Sequence, residues 1–160
     1  MRRPAAALAL ALTLALGLMA CGNANVVTPT DVTQSYVDAV AEGNFPGACG
    51  LLTAGARATL AAAGTHQGCA AVLDRCLPDT IRVPAADQSQ LLYVTIDMKT
   101  SGRRAQGTLS GLPVARAIER VALLRQRGRW RLTTPGRAVL RCVHRLHARR
   151  HPHRRHSAHG

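Results

Sequence analysis

Between residues 29 and 42 the apolar side chains Val32, Tyr36, Ala39 and Val40 recur at helical spacing with polar positions between them. Thr28-Pro29-Thr30-Asp31 supplies an N-cap, a proline at the first helical position and an acid in the first turn, and Gly43 stops the run, so a helix is expected over 29–42. After Asn44-Phe45-Pro46 a short helical turn is expected through Cys49-Gly50-Leu51-Leu52. A helix capped by Thr53 then covers 54–63 and ends at Gly64. A third helix is expected from about His66 to Cys76, with Cys69, Val72, Leu73 and Cys76 along one stripe.

Beyond Pro78 the period changes to two. Ile81 and Val83 flank Arg82, and Leu92, Val94, Ile96 and Met98 alternate with Leu91, Tyr93, Thr95, Asp97 and Lys99. Ser101-Gly102 turns the chain into a strand over 103–109, a further strand ends in Val121-Ala122-Leu123-Leu124, and Gln126-Arg127-Gly128 leads into Arg129-Trp130-Arg131-Leu132. A block of helices followed by antiparallel strands predicts an α+β domain.

At the N-terminus, Met1-Arg2-Arg3 precedes an apolar run over 5–19 and the small residue Ala20, the three-part layout of an export signal. The run falls short of the roughly 20 strongly apolar residues of a comfortable membrane span, so removal is expected. Its end, Leu18-Met19-Ala20-Cys21, resembles the lipobox of bacterial lipoproteins. That resemblance implies a diacylglycerol on the Cys21 thiol and cleavage just before it. Two acyl chains give stable anchoring, since each buried methylene contributes about 0.8 kcal/mol and one chain is marginal. Residues 21–28 then form a polar tether, and the mature chain is one domain's worth.

Twenty of the 21 basic residues are arginine and only Lys99 is lysine, a bias that GC-rich coding produces. The charge is also uneven: residues 22–134 carry twelve basic and eight acidic side chains, whereas 135–160 carry seven arginines and no acid. The domain is therefore placed at 29–134 and the remainder is read as a basic, disordered tail. Cys142, His144, His147, His151 and His153 offer soft and imidazole ligands, but the arginines among them oppose a cation and Pro152 breaks a helix, so neither a metal nor a cofactor is expected. Nucleic acid is not expected either, because the tail has no aromatic side chain for stacking. Anionic lipid head groups or an anionic cell-wall polymer are the partners that suit its charge.

The capped helix ending in Ala41-Glu42-Gly43-Asn44, the segment Ala48-Cys49-Gly50-Leu51-Leu52-Thr53, a second cysteine before Ala70-Ala71-Val72-Leu73, and the final hairpin Arg127-Gly128-Arg129-Trp130-Arg131-Leu132 together resemble the nuclear-transport-factor-2-like (NTF2-like) lipoproteins of high-GC bacteria. The resemblance covers residues 28–134. It implies N-terminal helices packed on a curved antiparallel sheet, a cone in which the sheet wraps the first helix around a pocket, with Tyr36, Leu92, Val94, Ile96, Met98 and Trp130 as its lining. Some members of that superfamily are isomerases or dehydratases, and many are non-catalytic binding or accessory domains.

Catalysis in such a pocket needs an acid or base on the inward face of the sheet. Here the inward face is the apolar one, so Asp97 points outward with Thr95 and Lys99. Asp38 and Glu42 fall on the polar side of the first helix, His66 sits at a helix start, and Tyr36 reads as a core tyrosine with a satisfied hydroxyl. No acid–base pair survives. The expected function is a lipid-anchored, extracytoplasmic, non-catalytic binding module of unknown small-molecule ligand. An isomerase or dehydratase, or an envelope structural protein acting through its tail, are the alternatives.

Four cysteines remain after Cys21, and an oxidising compartment allows them three pairings. Cys69 and Cys76 on one helix would have α-carbons about 10 Å apart, beyond the roughly 7 Å that a disulfide spans. The NTF2-like resemblance favours Cys49 with Cys69. Cys76 with Cys142 would then fasten the start of the tail.

Overall fold

The computed structural model describes residues 27–64, 68–84, 87, 89, 91 and 93–150. The segment expected to be an export signal, Cys21, His66, Leu92 and the last ten residues lie outside them.

Within the described residues the architecture is α+β, with six helices and one four-stranded antiparallel sheet that does not close on itself. Helix α1 (Pro29–Ala41) begins on a capping box: the Thr28 hydroxyl accepts from the Asp31 N–H at 3.1 Å and the Asp31 carboxylate accepts from the Thr28 N–H at 2.8 Å. Helix α2 (Phe45–Leu51) is capped by Asn44, and α3 (Ala54–Ala63) by Thr53 and Gly64. Helix α4 covers Cys69–Cys76. The strands are β1 (Thr95–Ser101), β2 (Arg104–Ser110), β3 (Arg120–Gln126) and β4 (Arg129–Leu132), in that order across the sheet. A short helix α5 (Pro113–Ile118) joins β2 to β3, and α6 (Arg137–Arg150) follows β4.

The register pairs Ile96 with Leu109, Met98 with Gly107, Gly107 with Val121 and Leu123 with Leu132. Since side chains alternate across a sheet, these residues share the inner face, which packs on α1. Met98 lies over Gly107, where an added β-carbon would stand 2.7 Å from its Cε. Helix α1 reaches both edge strands, β1 and β4, and buries Val32, Tyr36, Val37 and Val40 in the core. Leu52 continues the β4 edge as a parallel bridge to Leu132, so the helical layer and the sheet are also joined by backbone.

Two expectations need correction. Ile81 and Val83 do not form a strand: Asp79–Ile81 is a single 3-10 turn, and the Val83 N–H donates to the Ala41 carbonyl at the end of α1. Three alternating residues fit a turn with one buried side chain as well as they fit a strand, and Ile81 is that side chain. The tail expected to be disordered is helical as far as Arg150. Val139 and Val143, one helical turn apart, are buried against the domain, where α6 meets α3, α4 and α5. Two buried valines are enough to dock a helix, at about 1.5–3 kcal/mol each.

Candidate functional site

The four cysteines of the described residues form two disulfides, Cys49–Cys69 and Cys76–Cys142. The first joins α2 to α4 with α-carbons 6.2 Å apart, and the second joins α4 to α6 at 5.5 Å. Helix α4 is thus bonded at both ends, to the domain and to the C-terminal helix.

Of the residues expected to line a pocket, the five that are described are packed into the core or against it. Tyr36, Val94 and Trp130 are buried, and Ile96 and Met98 are half-buried against the core. The Tyr36 hydroxyl donates to the Pro135 carbonyl at 2.8 Å, and burial raises the pKa of the phenol above its ordinary value. Neither the groove on the outward face of the sheet nor the depression between α2 and α4 is lined by these side chains. The inner face of the sheet is filled by α1, which leaves the pocket implied by the resemblance without the expected lining.

The larger cavity, about 720 Å³, is a groove on the opposite, outward face. Its floor is two cross-strand rows set by register: Asp97, Thr108 and Arg120, then Lys99, Gln106 and Ala122. Period-two alternation placed Asp97 on this face, and there it is. Thr134, Arg137 and Leu140 close one side. Glu119 sits at the junction. As the residue that ends α5 it has φ +59°, a region L side chains rarely adopt, and it is held there because its N–H donates to the Ala115 carbonyl at 2.7 Å and its carbonyl accepts from the Leu109 N–H at 2.8 Å. Its carboxylate accepts from Arg137 Nη1 at 2.6 and 2.8 Å, and Arg120 lies at 4.0 Å. The Arg137 hydrogen bond holds the Glu119 pKa below the usual carboxylate value, partly opposed by desolvation, with Arg120 and Arg141 adding electrostatic support. Three cations, Lys99, Arg120 and Arg137, thus face two carboxylates, Asp97 and Glu119.

Glu119 and Arg120 went unrecognised in the sequence. A positive φ on a glutamate and an ion pair spanning eighteen residues leave no local pattern, whereas the polar alternation of β1 did mark Asp97 and Lys99 as one face; Gln106 and Thr108 of β2 join them through the strand register.

A second, shallower depression of about 350 Å³ lies between α2 and α4. Arg82 crosses it, pairing with Asp74 at 2.7 Å and Asp79 at 3.2 Å and covering the Phe45 ring at 5.5 Å from its centroid. That guanidinium is fully engaged and works as a surface clasp.

Among the described residues the buried polar side chains are Thr33 and Thr53, and both hydrogen bond to local backbone, Thr33 to the Pro29 carbonyl and Thr53 to the Ala56 N–H. Asp38 is half-buried and accepts from Gln34 at 2.7 Å, and Glu42 is exposed. No group of three or more histidine, cysteine or acidic side chains gathers at metal-binding distance among the described residues, and none of their helices is long and apolar enough to cross a membrane.

Compared with protein-family models, with curated proteins and with solved structures, the chain matches none.

Proposed function

We propose that this chain is a lipoprotein, anchored through acylated Cys21 on the extracytoplasmic face of the cell membrane, whose NTF2-like domain is a non-catalytic binding or accessory module. The observation that carries this reading is the distribution of its five cysteines. Four are consumed in two disulfides within the folded domain, which is the chemistry of an oxidising compartment, and the fifth, Cys21, stands at the junction of an apolar run and a polar tether. The α+β order and the contact of α1 with both edge strands support an NTF2-like arrangement. The non-catalytic reading is supported by where the chemistry lies. The Tyr36 hydroxyl is committed to Pro135, and the described acids are exposed or half-buried on the surface, where water screens them from the desolvation that general acid–base work exploits.

The test is the intact mass of the protein purified from membranes of its native host, before and after reduction and alkylation. A chain beginning at Cys21 with added acyl mass, and four thiols that alkylate only after reduction, is the expected result. An unacylated chain overturns the anchor, and thiols that alkylate without reductant overturn the compartment.

A further inference from the structure

Helix α6 carries arginines at 137, 141, 145 and 149 and no acid anywhere along its length. A spacing of four residues stacks them in one row, with successive side chains about 6 Å apart along the axis. All four are exposed. Arg137 is neutralised by Glu119, whereas Arg141, Arg145 and Arg149 have no ion pair among the described residues. The row begins at the groove, because Arg137 and Leu140 form its wall and Arg141 is near enough to act on the Glu119 carboxylate. The Cys76–Cys142 disulfide and the two buried valines fix the helix, so the backbone positions of the cations are set without a binding partner having to fold the helix.

We propose that the row of Arg141, Arg145 and Arg149, continued into the groove by Arg120 and Lys99, binds a linear polyanion that carries a phosphate or carboxylate at each repeat. The repeat of the cations suits a chain with regularly spaced charges. The hydroxyl of Thr108 and the amide of Gln106 add hydrogen-bonding groups for the uncharged part of a repeat. A lipid surface fits less well. The groove is concave, and Leu140 is the one large apolar side chain that α6 exposes, whereas an interfacial helix presents a broad apolar face. The binding is a property of the folded domain and does not require Cys21 to be acylated.

The experiment measures binding of the full chain, in non-ionic detergent, to long-chain inorganic polyphosphate and, separately, to phosphatidylglycerol vesicles across a salt series. Three variants are compared: the row (Arg141→Gln, Arg145→Gln, Arg149→Gln), the groove (Lys99→Gln, Arg120→Gln) and a control that removes as much charge away from both (Arg75→Gln, Arg116→Gln, Arg127→Gln). The row variant is expected to weaken polyphosphate binding at least about tenfold and to flatten its salt dependence. The groove variant is expected to weaken it less, and the control to stay close to the wild type. Thermal midpoints of all the variants confirm that each is folded. Equal losses in row and control reduce the effect to net charge and overturn the proposal, as does a groove variant that binds like the wild type. Row dependence seen with vesicles but not with polyphosphate assigns the helix to a membrane surface and overturns it too. None of these outcomes bears on the mass of the mature chain, so this proposal and the anchor can fail separately.

Discussion

The hydroxyl of Tyr36 donates to the carbonyl of Pro135 at 2.8 Å although 99 residues separate them. Tyr36 belongs to the middle of α1 and Pro135 lies two residues before α6, so this bond ties the first helix of the domain to the entry of the last. The next residue, Gly136, has φ +100°, and a β-carbon there would stand 2.8 Å from the α-carbon of Ile118. The polypeptide therefore leaves β4, is pinned by Tyr36, passes close beneath α5 and enters α6 with its direction already set.

Replacing Tyr36 by Phe leaves the ring in place and strips the Pro135 carbonyl of its donor. The expected loss is about 1–2 kcal/mol of unfolding free energy, read by urea denaturation. The same variant has an alkaline signature. Burial raises the Tyr36 pKa in the folded chain, so the unfolded chain ionises first. The stability tied to the neutral phenol is complete below about pH 10, the unfolded value, and is lost as the pH rises from there towards the folded value. Tyr36→Phe should therefore lose less stability between pH 9 and 11 than the wild type does. Equal slopes would place the phenol in water.

The disulfide between Cys76 and Cys142 closes a loop of sequence separation 66, and the chain-entropy relation assigns it about 4 kcal/mol. The paired variant Cys76→Ser, Cys142→Ser should lower stability by up to that amount. Amide exchange should show where the loss falls: α6, left with its two buried valines and the Tyr36–Pro135 bond at its entry, opens before α1 does. If protection falls equally in both helices, α6 is part of the cooperative core and not a helix stapled to it.

Much of this architecture is legible in the sequence because it is written locally. The Thr28–Asp31 capping box, Thr53 before α3, Gly64 after it and the Arg127-Gly128 turn each act within four residues, and the observed boundaries follow them. The alternation of β1 likewise put Asp97 on the outward face. Helix α6 was misread because its inward stripe is only Val139, Cys142 and Val143, embedded among arginines and histidines whose composition suggests a solvated tail. Helix α5 went unmarked because it has six residues, too few to show a period, although Pro113 stands in its first turn. The groove was invisible for a different reason. It is assembled from β1, β2, β3 and the entry to α6, and only tertiary structure brings Glu119 to Arg137.

Acid should act through that last pair. The Arg137 hydrogen bond lowers the Glu119 pKa, so the stability it contributes is present above the unfolded value of about 4.5 and is lost as the pH falls through the folded value. Asp31 behaves in the same sense, held down first by the Thr28 backbone N–H. Thermal midpoints from pH 6 to pH 3 should fall less steeply in Glu119→Gln than in the wild type, and less again when Asp31→Asn is added. An unchanged slope in the double variant would assign acid sensitivity to other carboxylates.

The turn between β3 and β4 offers a gain in stability. Gln126 pairs with Arg129, so the loop is the two residues Arg127 and Gly128, with φ +49° and +79°. Positive φ at both positions is the geometry that matches the twist of a tight hairpin, and glycine meets it freely. Arginine does not, because its β-carbon crowds the carbonyl in the left-handed region, whereas asparagine tolerates that region. Arg127 is exposed and makes no side-chain hydrogen bond or ion pair among those described, so nothing offsets its backbone cost. Arg127→Asn should raise stability by about 0.5–1 kcal/mol, seen as a rise of about 3 °C in Tm. Arg127→Val, β-branched and ill-suited to positive φ, should lower Tm. A fall with asparagine would mean that the arginine side chain stabilises the hairpin by more than its backbone strain costs.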